Sequence, residues 1–292
     1  MINGVTLKMH DYRSTQIEDI ILQHDQRGMS QVRPVLSPGY CYRAARMILD
    51  NKGTVLIGTG FPVSGSFESD GPIGAIALYQ VLAKLNCEPV FVCAPPISKI
   101  LTKRFMTYEL PLVDWEESKP VVIKALEDLR PSLIVSIERP GIAADGCYYN
   151  MHKKDITKLT AKFDLFFQKS KCPSIAFGDG GNEIGMGNVS DTLASLDIIP
   201  AITTCDELVI ASVSNWGVYG VIAALCRLLN QDLFENFDPD TVANYLVANG
   251  CVDGVTNRRE SSEDGFPISV GMSIIQQLRD LVFQPESNES VN

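Results

Sequence analysis

The stretch Ile175-Ala-Phe-Gly-Asp-Gly-Gly-Asn-Glu-Ile-Gly-Met-Gly-Asn188 decides how this chain is read. Its apolar, β-branched and aromatic start reads as a buried strand, and the glycines that follow let backbone N–H groups come close to a ligand. In an open parallel sheet, ligands bind at that carboxyl edge of the strands. Asp179, Asn182 and Glu183 are more polar material than a turn needs, and they point to chemistry on a small molecule.

Outward from this stretch, strand and helix alternate. Thr54–Gly58, Pro89–Cys93, Ser132–Ile137, Ser174–Phe177 and Glu207–Ala211 read as strands, with Leu110–Val113 as a shorter one. Helices are expected from about Pro72 to Leu85 and from Ile97 to Phe105, then from Ser118 as N-cap with Pro120 in the first turn. The stripe Ile156, Leu159, Phe163, Phe166 and Phe167 reads as helical, as do Trp216–Leu229, Pro239–Val247 and Ile268–Val282. Thr15-x-x-Glu18 has the form of a capping box ahead of Ile17, Ile20, Ile21 and His24, and Gly28 stops that helix. His24 reads as a packed or surface histidine without a catalytic role. A second helix over Tyr42–Asp50, closed by Gly53, completes an amino-terminal helical cap.

Such alternation predicts an α/β fold: a mostly parallel, doubly wound sheet with helices on both faces, an amino-terminal helical cap and a helical carboxyl-terminal third. One α/β domain is expected over residues 1–292, with the cap at 1–53, the sheet core and carboxyl-terminal helices at 54–284, and a frayed tail at 285–292.

Composition narrows the function. The net charge of −10, with no Lys/Arg cluster longer than a pair, excludes a nucleic-acid surface. The eight cysteines contain no Cys-x-x-Cys pair and only three histidines accompany them, so zinc spacing is absent and the thiols read as free. Met1–Lys8 lacks a signal-peptide core and no segment approaches a membrane span, so a cytoplasmic location without a membrane partner is expected. A homo-oligomer is compatible with the sequence.

Four loops after strands carry residues the fold alone does not require. In Gly58–Gly74 these are Thr59, Gly60, Ser64, Ser66 and Glu68, while Asp70 reads as the N-cap of the helix that begins at Pro72. The third glycine of a dinucleotide loop is replaced by Val63, and no Gly-Lys-Ser/Thr occurs, which excludes a P-loop. Glu138-Arg139-Pro140-Gly141 offers an acid and a guanidinium fork, with Asp145 and Tyr148-Tyr-Asn150 close behind. The opening stretch adds Asp179, Gly180, Gly181, Asn182 and Glu183, and Ser214-Asn-Trp-Gly217 adds Asn215. Arg258-Arg259 is a further anion-binding candidate. No Gly-x-Ser-x-Gly elbow is present, so acid–base work falls to carboxylates, Tyr or Lys.

Five motifs, taken in order, resemble the D-glutamate cyclase family. They are Gly58-Thr-Gly-Phe61, Glu68-Ser-Asp-Gly-Pro-Ile-Gly-Ala75, Ile137-Glu-Arg-Pro-Gly141, Ala144-Asp-Gly-Cys-Tyr-Tyr-Asn-Met151 and Gly178-Asp-Gly-Gly-Asn-Glu-Ile-Gly-Met-Gly187. The resemblance extends over roughly residues 15–280. It implies a lyase, a hydro-lyase that closes D-glutamate, a small-molecule amino-acid substrate, to 5-oxo-D-proline with loss of water. It carries no assignment of catalytic residues. Chemistry then suggests that Arg139 holds the α-carboxylate and the N–H groups of Gly180 and Gly181 hold the γ-carboxyl oxygen. Asp179 or Glu183 would take the ammonium proton and Glu138 would donate to the leaving hydroxyl. No cofactor is required. Two alternatives stay open: Mg²⁺ held by Asp70, Asp145, Asp179 and Glu183, or an amino-acid-binding protein without catalysis.

Overall fold

The structure, a computed structural model, describes residues 15–283. The readings of Met1–Lys8 and of the tail at 285–292 lie outside those residues. The strands are β1 (Thr54–Thr59), β2 (Pro62–Val63), β3 (Ser66–Phe67), β4 (Glu88–Cys93), β5 (Thr107–Glu109), β6 (Leu133–Ile137), β7 (Ser174–Gly178), β8 (Glu207–Ile210), β9 (Ser262–Glu263) and β10 (Phe266–Pro267). The helices are α1 (residues 15–21), α2 (Met29–Val32), α3 (Tyr40–Asp50), α4 (Pro72–Lys84), α5 (Ile97–Leu101), α6 (Trp115–Leu129), α7 (Asp164–Lys169), α8 (Ser190–Leu193), α9 (Ser214–Leu229), α10 (Pro239–Ala248) and α11 (Ile268–Phe283).

Six strands form one parallel sheet in the order β5-β4-β1-β6-β7-β8. The apolar residues of these strands pack on both faces, as expected where helices cover both sides. Val55, Ile57, Leu133, Val135, Ile175 and Phe177 point to the core shared with α3, α4, α9 and α11. Leu56, Val90, Val92 and Ile134 point to the opposite core, with Val122 and Ala125 of α6 and Phe166 of α7. The chain builds outward from β1 through β4 to β5, then returns to β6 and continues through β7 to β8. The order therefore reverses between β1 and β6, whose last paired residues are Thr59 and Ile137. A crevice opens at such a reversal, at the carboxyl ends of the strands.

Two helices meet above this crevice and cap each other. Asp70 lies just before α4, yet it does not cap that helix: its Oδ1 accepts from the N–H groups of Gly71 (2.9 Å) and Asn215 (2.8 Å), and its Oδ2 from Ser214 N–H (2.9 Å). Its carboxylate thus satisfies the amino end of α9. Asn215 of α9 returns the arrangement, since its Oδ1 accepts from Gly71 N–H at 2.9 Å and Gly74 N–H at 2.7 Å at the start of α4. Its amide donates to Ser69 O (3.3 Å) and Glu263 Oε2 (2.7 Å). Helix amino ends leave N–H groups without intrahelical partners, and here each helix supplies what the other lacks.

Several expected elements shift. The short strand lies at Thr107–Glu109 rather than Leu110–Val113. The N-cap of α6 is Asp114, whose carboxylate accepts from Glu117 N–H in a capping box; Ser118 and Pro120 lie inside the helix, where the Ser118 hydroxyl donates to Asp114 O. The stripe from Ile156 to Phe167 is broken into a single 3-10 turn at Thr157–Leu159 and the short α7. The break is held by Lys162, whose ammonium donates to the carbonyls of Thr157 (2.7 Å) and Thr160 (2.6 Å). Ser214 is the first residue of α9 rather than its cap. Glu18 reaches across to α3, where its Oε1 accepts from Gly39 N–H (2.7 Å) and Tyr40 N–H (2.9 Å). His24 lies past the end of α1 with φ at 63° and is exposed, one side of its ring against Trp216 and Phe266.

Two stability predictions follow from these caps. Truncating Asn215→Ala removes the side-chain acceptor of Gly74 N–H, one of two acceptors of Gly71 N–H and one of two donors to Glu263, so urea denaturation should show a loss of about 3 kcal/mol; a loss below about 1 kcal/mol would contradict the mutual capping. Burial pushes the Glu18 carboxyl up from 4.5 to about 7, against the two amides that oppose the rise. A folded-state value above the unfolded one means stability is fully present below pH 4.5 and is lost as pH rises through about 7. The stability of wild type relative to Glu18→Gln should therefore fall by about 3 kcal/mol across that window. Denaturation of both proteins at several pH values tests this, and a difference that does not change with pH would refute it.

Candidate active site at the carboxyl edge of the sheet

The crevice between β1 and β6 opens into a cavity of about 500 Å³. Arg27, Glu68, Glu138 and Asn182 line it, Phe61 and Ile156 give it an apolar wall, and the exposed His152 and Lys154 stand at its mouth. A cleft of about 590 Å³ lies at the opposite edge, between α3 and Pro173, where Arg43, Arg46 and Asp50 are its charged groups. That cleft has no cluster of acids, whereas the first cavity is floored by one.

Glu138 follows β6 directly, with φ at 45°. A left-handed backbone at a non-glycine residue is strained, and such strain concentrates at functional sites. Its Oε2 accepts from the Ser214 hydroxyl at 2.6 Å. Gly71 makes the close approach workable: a Cβ there would lie 2.7 Å from the Glu138 Cβ and 3.0 Å from Ile137 O. Asp70, Glu138 and Asp179 each present an oxygen within 4.8 Å of the others.

Arg27 is the cation of the site, and nothing periodic in the sequence marks it. Asp25 positions it by folding the local chain, since its carboxylate accepts from the N–H groups of Arg27 (3.2 Å), Gly28 (2.9 Å), Met29 (3.1 Å) and Ser30 (2.8 Å). The guanidinium then bridges Asp179 Oδ1 at 2.8 Å and Asp264 Oδ1 at 2.5 Å. Asp264 was equally hidden. It sits in the loop over residues 253–265, which Asp253 braces by accepting from Val255 N–H, Thr256 N–H, the Ser262 hydroxyl and Gly265 N–H. Gly254 in that loop lies against Glu68, where a Cβ would come within 1.8 Å of Oε2.

The carboxyls of this floor are all driven upward by burial. Glu68 is held well above the usual carboxylate range, burial first and the Asp264 charge second. Asp70 is pushed up to about 7 and Asp264 to about 8. Glu138 and Asp179 lie well above the ordinary range, burial leading in both; the Asp179 and Glu183 charges add to the rise at Glu138, while Arg27 opposes it at Asp179. These groups are nearly all removed from water, and each ionised acid makes its neighbours harder to ionise.

Of the sequence candidates, Ser64, Glu68, Glu138, Asn150 and Asn182 line the cavity, and Asp70 and Asp179 lie buried behind it, each with an oxygen within 4.8 Å of one of Glu138. The others do different work. Arg139 turns away: its guanidinium donates to Gly60 O (2.7 Å), Thr59 O (3.5 Å) and Ala161 O (2.8 Å), tying loops together where a substrate carboxylate was expected. Glu183 folds back on its own loop, its two oxygens accepting from Gly180 N–H (3.0 Å) and Gly181 N–H (2.7 Å). Those amides are thereby occupied, which removes both the expected oxyanion site at Gly180 and Gly181 and the role of Glu183 as base. Asn215 is spent on capping, and the Ser66 hydroxyl donates to Gly250 O. Asp145 is exposed and accepts from the Tyr149 hydroxyl at 2.5 Å, which removes it from the expected Mg²⁺ set. Arg258 and Arg259 are exposed. Tyr148 is buried and donates to Asp164 Oδ2 at 2.8 Å. The Thr59 hydroxyl, Asn182 Oδ1 and Asp179 Oδ2 are buried with no hydrogen-bond partner.

No helix among the described residues is long and apolar enough to cross a membrane. Comparison with known proteins gives this site its context. The human protein D-glutamate cyclase, mitochondrial, is 33% identical over 208 residues, which cover 62% of this chain and 34% of that protein. The chain thus spans about a third of the relative's length. The sequence model of the family described as D-glutamate cyclase-like, C-terminal, matches residues 17–279, from α1 into α11 and through every loop of the cavity. The chain belongs to the D-glutamate cyclase-like family, whose relative is named for a lyase-type reaction.

Proposed function

We propose that this chain is a hydro-lyase that closes D-glutamate to 5-oxo-D-proline and water. The observation that carries the reading is the cavity itself: an acid floor and a cationic mouth, in a chain of this family. A zwitterionic dicarboxylate needs both signs of charge, its ammonium against acids and its carboxylates against cations.

The proton balance of the reaction fits a carboxyl-lined site. Ring closure forms a bond from nitrogen to the γ-carbon and breaks a bond from that carbon to oxygen. Two protons leave the ammonium group, and two end on the departing oxygen as water. No net proton is consumed, and no hydride or phosphoryl group moves, in keeping with the missing dinucleotide and phosphate loops. What the enzyme must supply is a folded substrate and a carrier for those protons. Glu68 lines the cavity and takes no hydrogen bond from the described residues, which supports it as the carrier. Lys154 at the mouth supports the role once expected of Arg139, pairing with a substrate carboxylate. Glu138 and Asp179 hold the charge of the floor, with Arg27 fixing Asp179.

Incubation of the purified protein with D-glutamate should give a product lighter by one water, about 18 mass units, and a panel of D- and L-amino acids sets its selectivity. No product from any member of the panel would end the reading. Glu68→Gln should lower kcat by about 10²-fold or more with KM little changed. Lys154→Gln should instead raise KM about tenfold, the value of one ordinary charge-assisted contact. Equal effects of the two substitutions on kcat would contradict the division of roles.

A further inference from the structure

Four buried acids, Glu68, Glu138, Asp179 and Asp264, interact with one guanidinium, Arg27, and Asp70 lies against two of them. Carboxyls gathered this closely around a single cation can ionise together only if a further positive charge joins them. We propose that Asp70, Glu138 and Asp179 are the seat of one divalent cation of the hard, oxygen-binding kind, Mg²⁺ or Mn²⁺.

Geometry supports the seat first. Three oxygens from three different segments lie within 4.8 Å of one another. Metal–oxygen bonds of about 2.1 Å in an octahedron set neighbouring oxygens about 3.0 Å apart and opposite ones about 4.2 Å apart. Side-chain shifts of up to about 1 Å therefore suffice to close the seat.

Two atoms point to the same place independently of the cluster's charge. Asp179 gives Oδ1 to Arg27, and its Oδ2 is buried with no N–H or hydroxyl donor, beside the Asp70 carboxyl. Thr59, fully buried and uncharged, also has a hydroxyl without a partner. That hydroxyl lies 3.0 Å from the Cβ position of Gly71, which is itself 2.7 Å from the Glu138 Cβ. A buried oxygen left unbonded is costly, and a cation or its water would satisfy both atoms. The surrounding contacts are those of an oriented ligand set: Asp70 is fixed by three backbone N–H groups, Glu138 by the Ser214 hydroxyl and Asp179 by Arg27. An all-oxygen set without sulfur or imidazole selects Mg²⁺ or Mn²⁺ over zinc or copper.

The use of the ion in catalysis rests on the cyclase reading above, whereas its binding does not. Held at the cavity floor, it would draw electron density from the γ-carboxyl carbon and favour attack by nitrogen.

The test uses the whole chain, stripped by exhaustive chelation and titrated with Mn²⁺ alone, with free Mn²⁺ read by electron paramagnetic resonance. One Mn²⁺ per chain is expected, bound at least tenfold more weakly by Asp179→Asn and by Glu138→Gln and a few-fold more weakly by Thr59→Val, with Asp145→Asn unchanged. Thr59→Val keeps every carboxylate and the side-chain shape, so it remains informative if the acid substitutions unfold. Mn²⁺ should also raise the melting temperature of the wild type. Failure of the wild type to bind at millimolar Mn²⁺, or unchanged affinity in the folded variants, would overturn the site. Mn²⁺ binding without turnover of D-glutamate would keep the site and remove the cyclase reading. Undiminished turnover after chelation, with no Mn²⁺ bound, would do the reverse.

Discussion

The rest of this structure depends on holding buried carboxylates together at the carboxyl ends of β1, β6 and β7. Charges removed from water repel strongly, so such a cluster is stable only if dipoles, cations or protons answer it. The chain answers with backbone first. Asp70 takes the amino end of α9, and Glu183 takes the amides of its own glycine loop. Arg27 is then brought in from the segment between α1 and α2, and the loop over residues 253–265 comes down from the other side. The sheet supplies the crevice, but the elements at the two ends of the chain complete it.

Mutual capping explains how so much of the chain serves one place. Because Asp70 satisfies α9 and Asn215 satisfies α4, neither helix can move from the crevice without exposing the amino end of the other. Glu263 joins this lock by accepting from Asn215 and from the Trp216 indole at 2.8 Å, which ties the segment before α11 to the same point. Stability and the shape of the site therefore share the same hydrogen bonds, an arrangement in which local sequence rules yield to function.

The sheet was legible because five apolar runs of four to six residues are buried on both sides in the structure, and burial on both sides is what a continuous apolar run encodes. The loops of the site were legible too, since glycines and surplus polar residues gather where strands end. Roles within the loops were not. Arg139 and Arg27 exchanged places, and no local pattern could have told them apart: the partners of Arg27 lie 152 and 237 positions away in sequence. The α6 boundary failed for a different reason, because Ser118 and Pro120 look like a helix start while the capping box formed by Asp114 and Glu117 lies only four residues earlier. When two start signals overlap, the one that satisfies more N–H groups prevails.

Buried and half-buried acids in this protein fall into two kinds that sequence alone does not separate. Asp25, Glu183 and Asp253 close loops in which most of the donors are backbone N–H groups two to five residues away. Their oxygens are occupied, and their work is to shape the chain. Glu68, Glu138 and Asp179 come from separate strand ends, meet across long sequence distances, and include oxygens with no donor at all. A carboxylate whose hydrogen bonds are local is part of the fold, whereas one brought from afar and left open faces something the chain does not provide. By that criterion the glycine-rich stretch at Gly178–Gly187 holds both kinds, four residues apart: Glu183 builds the loop, and Asp179 is what the loop presents.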